Sequence, residues 1–134
     1  MSSSVTPTRA ELAILRVIWT RGECTVREVH DQLSPAQETG YTTTLKQIQV
    51  MTEKGLVTRI ERGRFHVYRA KGPEGAIQKR LVRDLVDLAF GGSSGRLALQ
   101  ALSSQPASPD ELRQIRRLLD QQEQPDPRTP KKSR

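Results

Sequence analysis

What this chain has little of narrows the field before any motif is read. Aromatic residues make up 4% and hydrophobic residues 34% of its 134 positions, which is lean for a monomer closing one large core. Some apolar surface is therefore expected to be buried between subunits. The single cysteine, Cys24, excludes an intramolecular disulfide and fits a reducing cytoplasm. With only His30 and His66 to join it, no zinc-ligand spacing exists, and neither a metal site nor a cofactor is expected. No P-loop is present, so no catalytic residue is assigned and an enzyme is not expected. No apolar run is long enough to span a bilayer, and Met1 to Pro7 lacks a secretory core, so the expected location is the cytoplasm. Asparagine is absent altogether.

What the chain does have is positive charge. The formal net charge is +7, which points to a polyanionic partner, nucleic acid before anionic membrane. Residues 1–72 hold eleven Lys/Arg against seven Asp/Glu, residues 73–124 seven of each, and residues 125–134 four against one. A neutral middle suits protein–protein contact and lacks the basic amphipathic segment that a membrane-surface helix needs.

The local patterns then give an architecture. Residues 1–7 read as a flexible arm. Thr8-Arg9-Ala10-Glu11 and Thr25-Val26-Arg27-Glu28 are two capping boxes, in which a threonine hydroxyl and a glutamate satisfy the first free amides of a helix. The first opens a helix with Leu12, Leu15, Ile18 and Trp19 as its apolar stripe, ending at Gly22. The second carries Val26, Val29 and Leu33 inward and stops at Ser34-Pro35. Pro35 to Gly40 is a polar connector to a third helix beginning at Tyr41. On that helix Thr44, Ile48 and Met51 share one side, while Thr43, Lys46, Gln47 and Val50 share the other at i, i+3, i+4 and i+7. Short hydroxyl, ammonium and amide groups are what reach phosphates and base edges in a major groove. After Gly55, Val57 to Ile60 and Phe65 to Tyr68 predict a β-hairpin turning through Glu61-Arg62-Gly63-Arg64. Its arginines, Arg59, Arg62, Arg64 and Arg69, would either keep an edge hairpin soluble or lie against a phosphate backbone.

These pieces, in this order, resemble the penicillinase-repressor (BlaI/MecI/CopY) family of bacterial winged-helix regulators. The resemblance rests on Thr8-x-x-Glu11 with Trp19, Thr25-x-x-Glu28-Val29 with Leu33, Tyr41-Thr42-Thr43, Lys54-Gly55-Leu56, Arg62-Gly63-Arg64 and Tyr68. It implies homodimers that bind a dyad operator and repress transcription, with the third helix in the major groove and the hairpin as wing. By position, Thr42, Thr43, Lys46 and Gln47 match the family's recognition-helix surface. Val50 stands where many relatives have arginine, and there it meets a thymine methyl or nothing. Tyr41, Arg59, Arg62 and Arg64 are assigned to the wing and the DNA backbone.

Beyond a hinge at Lys71-Gly72-Pro73, Ile77, Leu81, Leu85 and Leu88 predict a long helix over 74–90, followed by a Gly/Ser break at 91–95. Leu97 to Leu102 suggests a short helix. Ser108-Pro109-Asp110-Glu111 opens another, with Leu112, Ile115 and Leu119 at helical spacing. About fifty residues would make a marginal bundle alone, so this is read as a dimerisation region.

The expected fold class is thus mainly α with a small β-hairpin wing. The expected domains are an arm over 1–7, a winged helix-turn-helix over 8–72, a helical dimerisation region over 73–122 and a basic disordered tail over 123–134. The expected function is a homodimeric, sequence-specific repressor on double-stranded DNA. The alternatives are a protein–protein winged helix and a non-specific DNA-architectural factor. Of the release routes that the resemblance implies, copper sensing lacks its C-terminal cysteine cluster, and a receptor-protease lacks an Asn-Phe bond to cut. Cleavage elsewhere, at Gly91 to Arg96 or Ser103 to Ser108, or another inducer partner stays open.

Overall fold

The computed structural model describes residues 6–34 and 40–124. Most of the expected N-terminal arm, the Pro35 to Thr39 part of the connector and the tail from Pro125 lie outside the described residues. The chain divides into two compact units, Met1–Leu85 and Val86–Arg134.

In the first unit, α1 (Arg9–Arg21) and α2 (Val26–Leu33) both start on the predicted capping boxes. The Thr8 hydroxyl accepts from the Glu11 amide and Glu11 accepts from the Thr8 amide; Thr25 and Glu28 repeat the arrangement. Helix α3 spans Tyr41–Lys54 and stops at Gly55, whose φ of 82° and ψ of 19° are left-handed. A side chain there would cost about 1–2 kcal/mol, so glycine sets the stop. Strands β1 (Val57–Arg62) and β2 (Phe65–Ala70) pair antiparallel, with Val57 opposite Ala70 and Arg62 opposite Phe65. The strands are longer than expected and the turn shorter: Glu61 and Arg62 are paired, leaving only Gly63-Arg64 as the turn. Gly63 has a φ of 62° while Arg64 does not have a positive φ, the pattern of a type II′ hairpin whose twist matches its strands.

Three helices and the hairpin close around Ile14, Leu15, Ile18, Val29, Ile48, Met51, Val57 and Cys24, all fully buried. On α1 the buried set is Glu11, Ile14, Leu15, Val17 and Ile18, whereas Leu12 and Trp19, expected inside, are half-buried. The helix is rotated so that the aliphatic 14/15/18 row enters the core shared with α2, α3 and β2. Cys24 pairs with the outer edge of β2 as a single antiparallel bridge. Its amide donates to the Tyr68 carbonyl at 3.1 Å, and the Tyr68 amide donates back at 2.8 Å. Strand β2 is therefore held on both edges, and Cys24 is structural: burial pushes its thiol above the usual range, despite Arg21 nearby.

A partly buried ion pair joins the start of α1 to the end of α3. Lys54, at the end of α3, donates to both oxygens of Glu11, at 3.0 and 2.8 Å. Burial pushes the Glu11 carboxyl up, but the Lys54 hydrogen bond, the Thr8 amide and the ammonium charge outweigh it, leaving it below its ordinary value. Helix α4 (Glu74–Ala89) follows Pro73. Its first turns belong to this unit, with Ile77 packed on the core and Thr6 donating to Asp84 at 3.1 Å. Pro7 is buried.

In the second unit, the end of α4 turns through Gly91–Ser93 into α5 (Ser94–Ser104), and α6 (Pro109–Glu123) starts on a complete Ser108–Glu111 capping box with proline at its first turn. The loop expected over Gly91 to Arg96 is shorter, because Ser93 caps α5 by accepting from the Arg96 amide. Neither α5 nor α6 buries a single residue. Among the described residues no helix is long and apolar enough to cross a membrane.

Candidate nucleic-acid interface

The candidate surface begins with the two faces of α3. Thr44, Ile48 and Met51 are buried, which fixes the rotation of the helix about its axis and turns Thr42, Thr43 and Lys46 outward, all exposed. Val50 is 38% exposed, on the same outward side. Gln47, expected at the centre of the face, is half-buried, so its amide has fewer directions open to it than the threonines have.

The start of α3 is braced by its neighbour. The Arg27 guanidinium lies 4.4 Å from the centre of the Tyr41 ring, and His30 meets the same ring edge-on at 5.8 Å. His30 Nδ1 also lies 3.3 Å from the Thr44 hydroxyl, which in turn reaches the Gly40 carbonyl. Tyr41 is thus half-buried and fixed, rather than a free ring. Unlike α1, α2 and α6, α3 has no side-chain cap on its first amides among the described residues. Free helical amides and a positive dipole end suit an anion such as a phosphate.

The wing supplies the cations. Arg59 and Arg64 are exposed and make no ion pair among the described residues. Arg64 sits in the two-residue turn at the tip. Arg62 is exposed but engaged: its Nε and Nη2 donate to the two oxygens of Glu23, at 3.3 and 3.0 Å. The Arg62 hydrogen bond holds the Glu23 carboxyl below its ordinary range despite some burial, with further help from the charges of Arg62 and Arg69.

The residues assigned to dimerisation fall into different settings. Ile77 is packed against the first unit's core, and Leu81 is half-buried. Leu85 is 45% and Leu88 85% exposed; Leu112 and Ile115 are half-buried, and Leu119 is 50% exposed. Sequence reasoning missed Glu23, Arg27 and the Lys54–Glu11 pair. Arg27 could have been found from its helical phase, since it lies on the side of α2 away from Val26 and Val29. Nothing local points to Glu23, whose partner is 39 residues away.

A family model described as penicillinase repressor matches residues 7–121. The transcriptional regulator BlaI of Mycobacterium tuberculosis is 31% identical over 110 residues, which cover 81% of this chain and 79% of that protein. The chain belongs to the penicillinase-repressor family. As a member of that family it is a DNA-binding transcriptional repressor and not an enzyme. The fold has a solved counterpart. A cysteine-to-serine mutant of MarR from E. coli superposes with a TM-score of 0.51 at 19% identity, covering 86% of this chain and 76% of that one, a likeness of fold alone. The solution structure of monomeric Bacillus licheniformis BlaI with the blaP half-operator gives a TM-score of 0.49 at 25% identity, over 56% of this chain and 92% of that one.

Proposed function

We propose that this penicillinase-repressor family member acts as a homodimer on a two-fold symmetric operator in the cytoplasm, placing one α3 in the major groove of each half-site. The observation that carries the reading is the division of α3. A buried Thr44–Ile48–Met51 side fixes it, and an outward side presents Thr42, Thr43, Lys46 and Val50, with Gln47 at its margin. A packed helix whose free face carries polar groups with no ion pair among the described residues is suited to reading base edges, while Arg59 and Arg64 are placed to hold phosphate. Tyr41, fixed by Arg27 and His30, borders the uncapped start of the helix, where a backbone phosphate fits.

Homodimerisation is supported by the second unit. Leu88, Leu99, Leu118 and Leu119 are each at least half exposed, and α5 and α6 bury nothing of their own. Leaving a leucine in water forgoes about 1.5–3 kcal/mol, so covering several by a second copy is a strong drive. Release from the operator would use neither an Asn-Phe cut nor a cysteine cluster, since the chain has no asparagine and one buried cysteine. Selection of bound duplexes from a random pool, followed by competition with excess random DNA, tests the whole reading. A palindromic site that survives competition is expected. Recovery of no consensus, or loss of binding at modest competitor, would point instead to a non-specific architectural factor.

A further inference from the structure

Arg62 and Glu23 meet fork to fork. The two guanidinium nitrogens that bind Glu23, Nε and Nη2, are donors of the kind an arginine uses to grip a phosphate. A phosphate and Glu23 therefore compete for the same group. Glu23 is well placed to compete because it is not on a loose loop. The next residue, Cys24, is fully buried and exchanges both backbone hydrogen bonds with Tyr68 of β2. The backbone of Glu23 is thereby held beside the wing, and its side chain reaches Arg62 from a fixed point. Arg59 and Arg64, on either side of Arg62 in the hairpin, have no such carboxylate among the described residues.

We propose that Glu23 acts as a built-in phosphate mimic that holds Arg62 off the DNA backbone, leaving the wing to engage phosphate through Arg59 and Arg64. This rests on the DNA-binding reading above. The consequence is a lower affinity for every sequence alike, because a phosphate contact carries no sequence information. Less of the repressor is then held on random DNA. Glu23 is a positioning residue in this scheme, and it touches no nucleic acid itself.

Each phosphate contact contributes about 0.9 to the slope of log affinity against log salt. The test is that slope on a random-sequence duplex, for the full-length wild type, Arg62→Ala, Glu23→Ala and the double variant, each first checked for an unchanged thermal melt. The expected result is an unchanged slope for Arg62→Ala and a slope steeper by about 0.9 per bound protomer for Glu23→Ala. The double variant should return to the wild-type slope, because the gain runs through Arg62. A slope shallower than the wild type's in both Arg62→Ala and the double variant would show that Arg62 already holds phosphate, and would overturn the proposal. So would a Glu23→Ala gain that survives in the double variant, since removal of a negative charge or release of Arg69 would then explain it. A wild type with no salt-dependent binding would instead sink the DNA-binding reading itself, and this inference with it.

Discussion

Replacing Lys54 by methionine keeps most of the side-chain stem and removes only the charge that faces Glu11. The Glu11 side chain is 6% exposed and Lys54 33% exposed, so the carboxylate is the partner that cannot turn to water. Breaking a fully buried pair from one side costs about 3–5 kcal/mol. Here Glu11 keeps the Thr8 amide at 2.9 Å, and the pair is partly wet at its lysine end, which reduces the expected loss to about 1.5–3 kcal/mol. Glu11→Gln should cost less, about 0.5–1.5 kcal/mol, because the amide oxygen still serves the Thr8 cap and Lys54 can rotate into solvent. Urea unfolding followed by the fluorescence of Trp19, the chain's single tryptophan, reads this unit directly. The pH dependence gives a second check. Glu11 is below its ordinary value of 4.5 in the folded state, so its contribution is present in full above that value and fades as pH falls through the lower folded value. The gap between wild type and Lys54→Met should therefore close on acidification through the carboxylate range. A Lys54→Met loss under 0.5 kcal/mol, or one smaller than that of Glu11→Gln, would refute the reasoning, as would a gap that ignores pH.

Other perturbations separate reading, positioning and assembly. If Gln47 pairs with a base, Gln47→Ala should cost about 1–3 kcal/mol at one operator position and relax preference there, whereas Arg64→Ala should weaken all sequences alike and reduce the salt slope by about one. Affinities on an operator panel at several salt concentrations decide, and a reversed pattern would mean the two roles are exchanged. Leu88→Asp, at a side chain 85% exposed, should leave the Trp19-reported stability within about 0.5 kcal/mol of wild type while dissociating the proposed dimer in light scattering. A dimer that persists would move the interface elsewhere. Gly63→Val should destabilise the hairpin by about 1–2 kcal/mol, because a β-branched residue is strained at a φ of 62°, and an unchanged melt would count against that turn geometry.

A good deal of this molecule was legible from its residues, and the reason is locality. Capping boxes at Thr8, Thr25 and Ser108 act within four residues, so the starts of α1, α2 and α6 follow from sequence alone. The stop at Gly55 and the buried Thr44–Ile48–Met51 row follow from one dihedral and one helical period. Burial on α1 was harder. Its apolar residues run almost all the way round the helix, and only the position of α2 and α3 decided that Ile14 and Val17 go inside while Leu12 and Trp19 stay half out.

The candidate surface divides in the same way. Spacing brought Thr43, Lys46 and Val50 to one outward face, the family resemblance added Thr42, and composition placed arginines on a hairpin, the first and last being matters of period and charge. Whether each of those groups is free was decided by parts of the chain far away in sequence. Glu23 claims Arg62 across 39 residues, and Glu11 claims Lys54 across 43. Cys24 had no predictable role until Tyr68 came to lie beside it. Ion pairs and bridges of this kind need two groups brought within about 3 Å by the packing of whole elements, and no local pattern encodes that meeting. Sequence therefore determined which elements form and which faces are apolar, and tertiary structure alone decided which charges remain available to a partner.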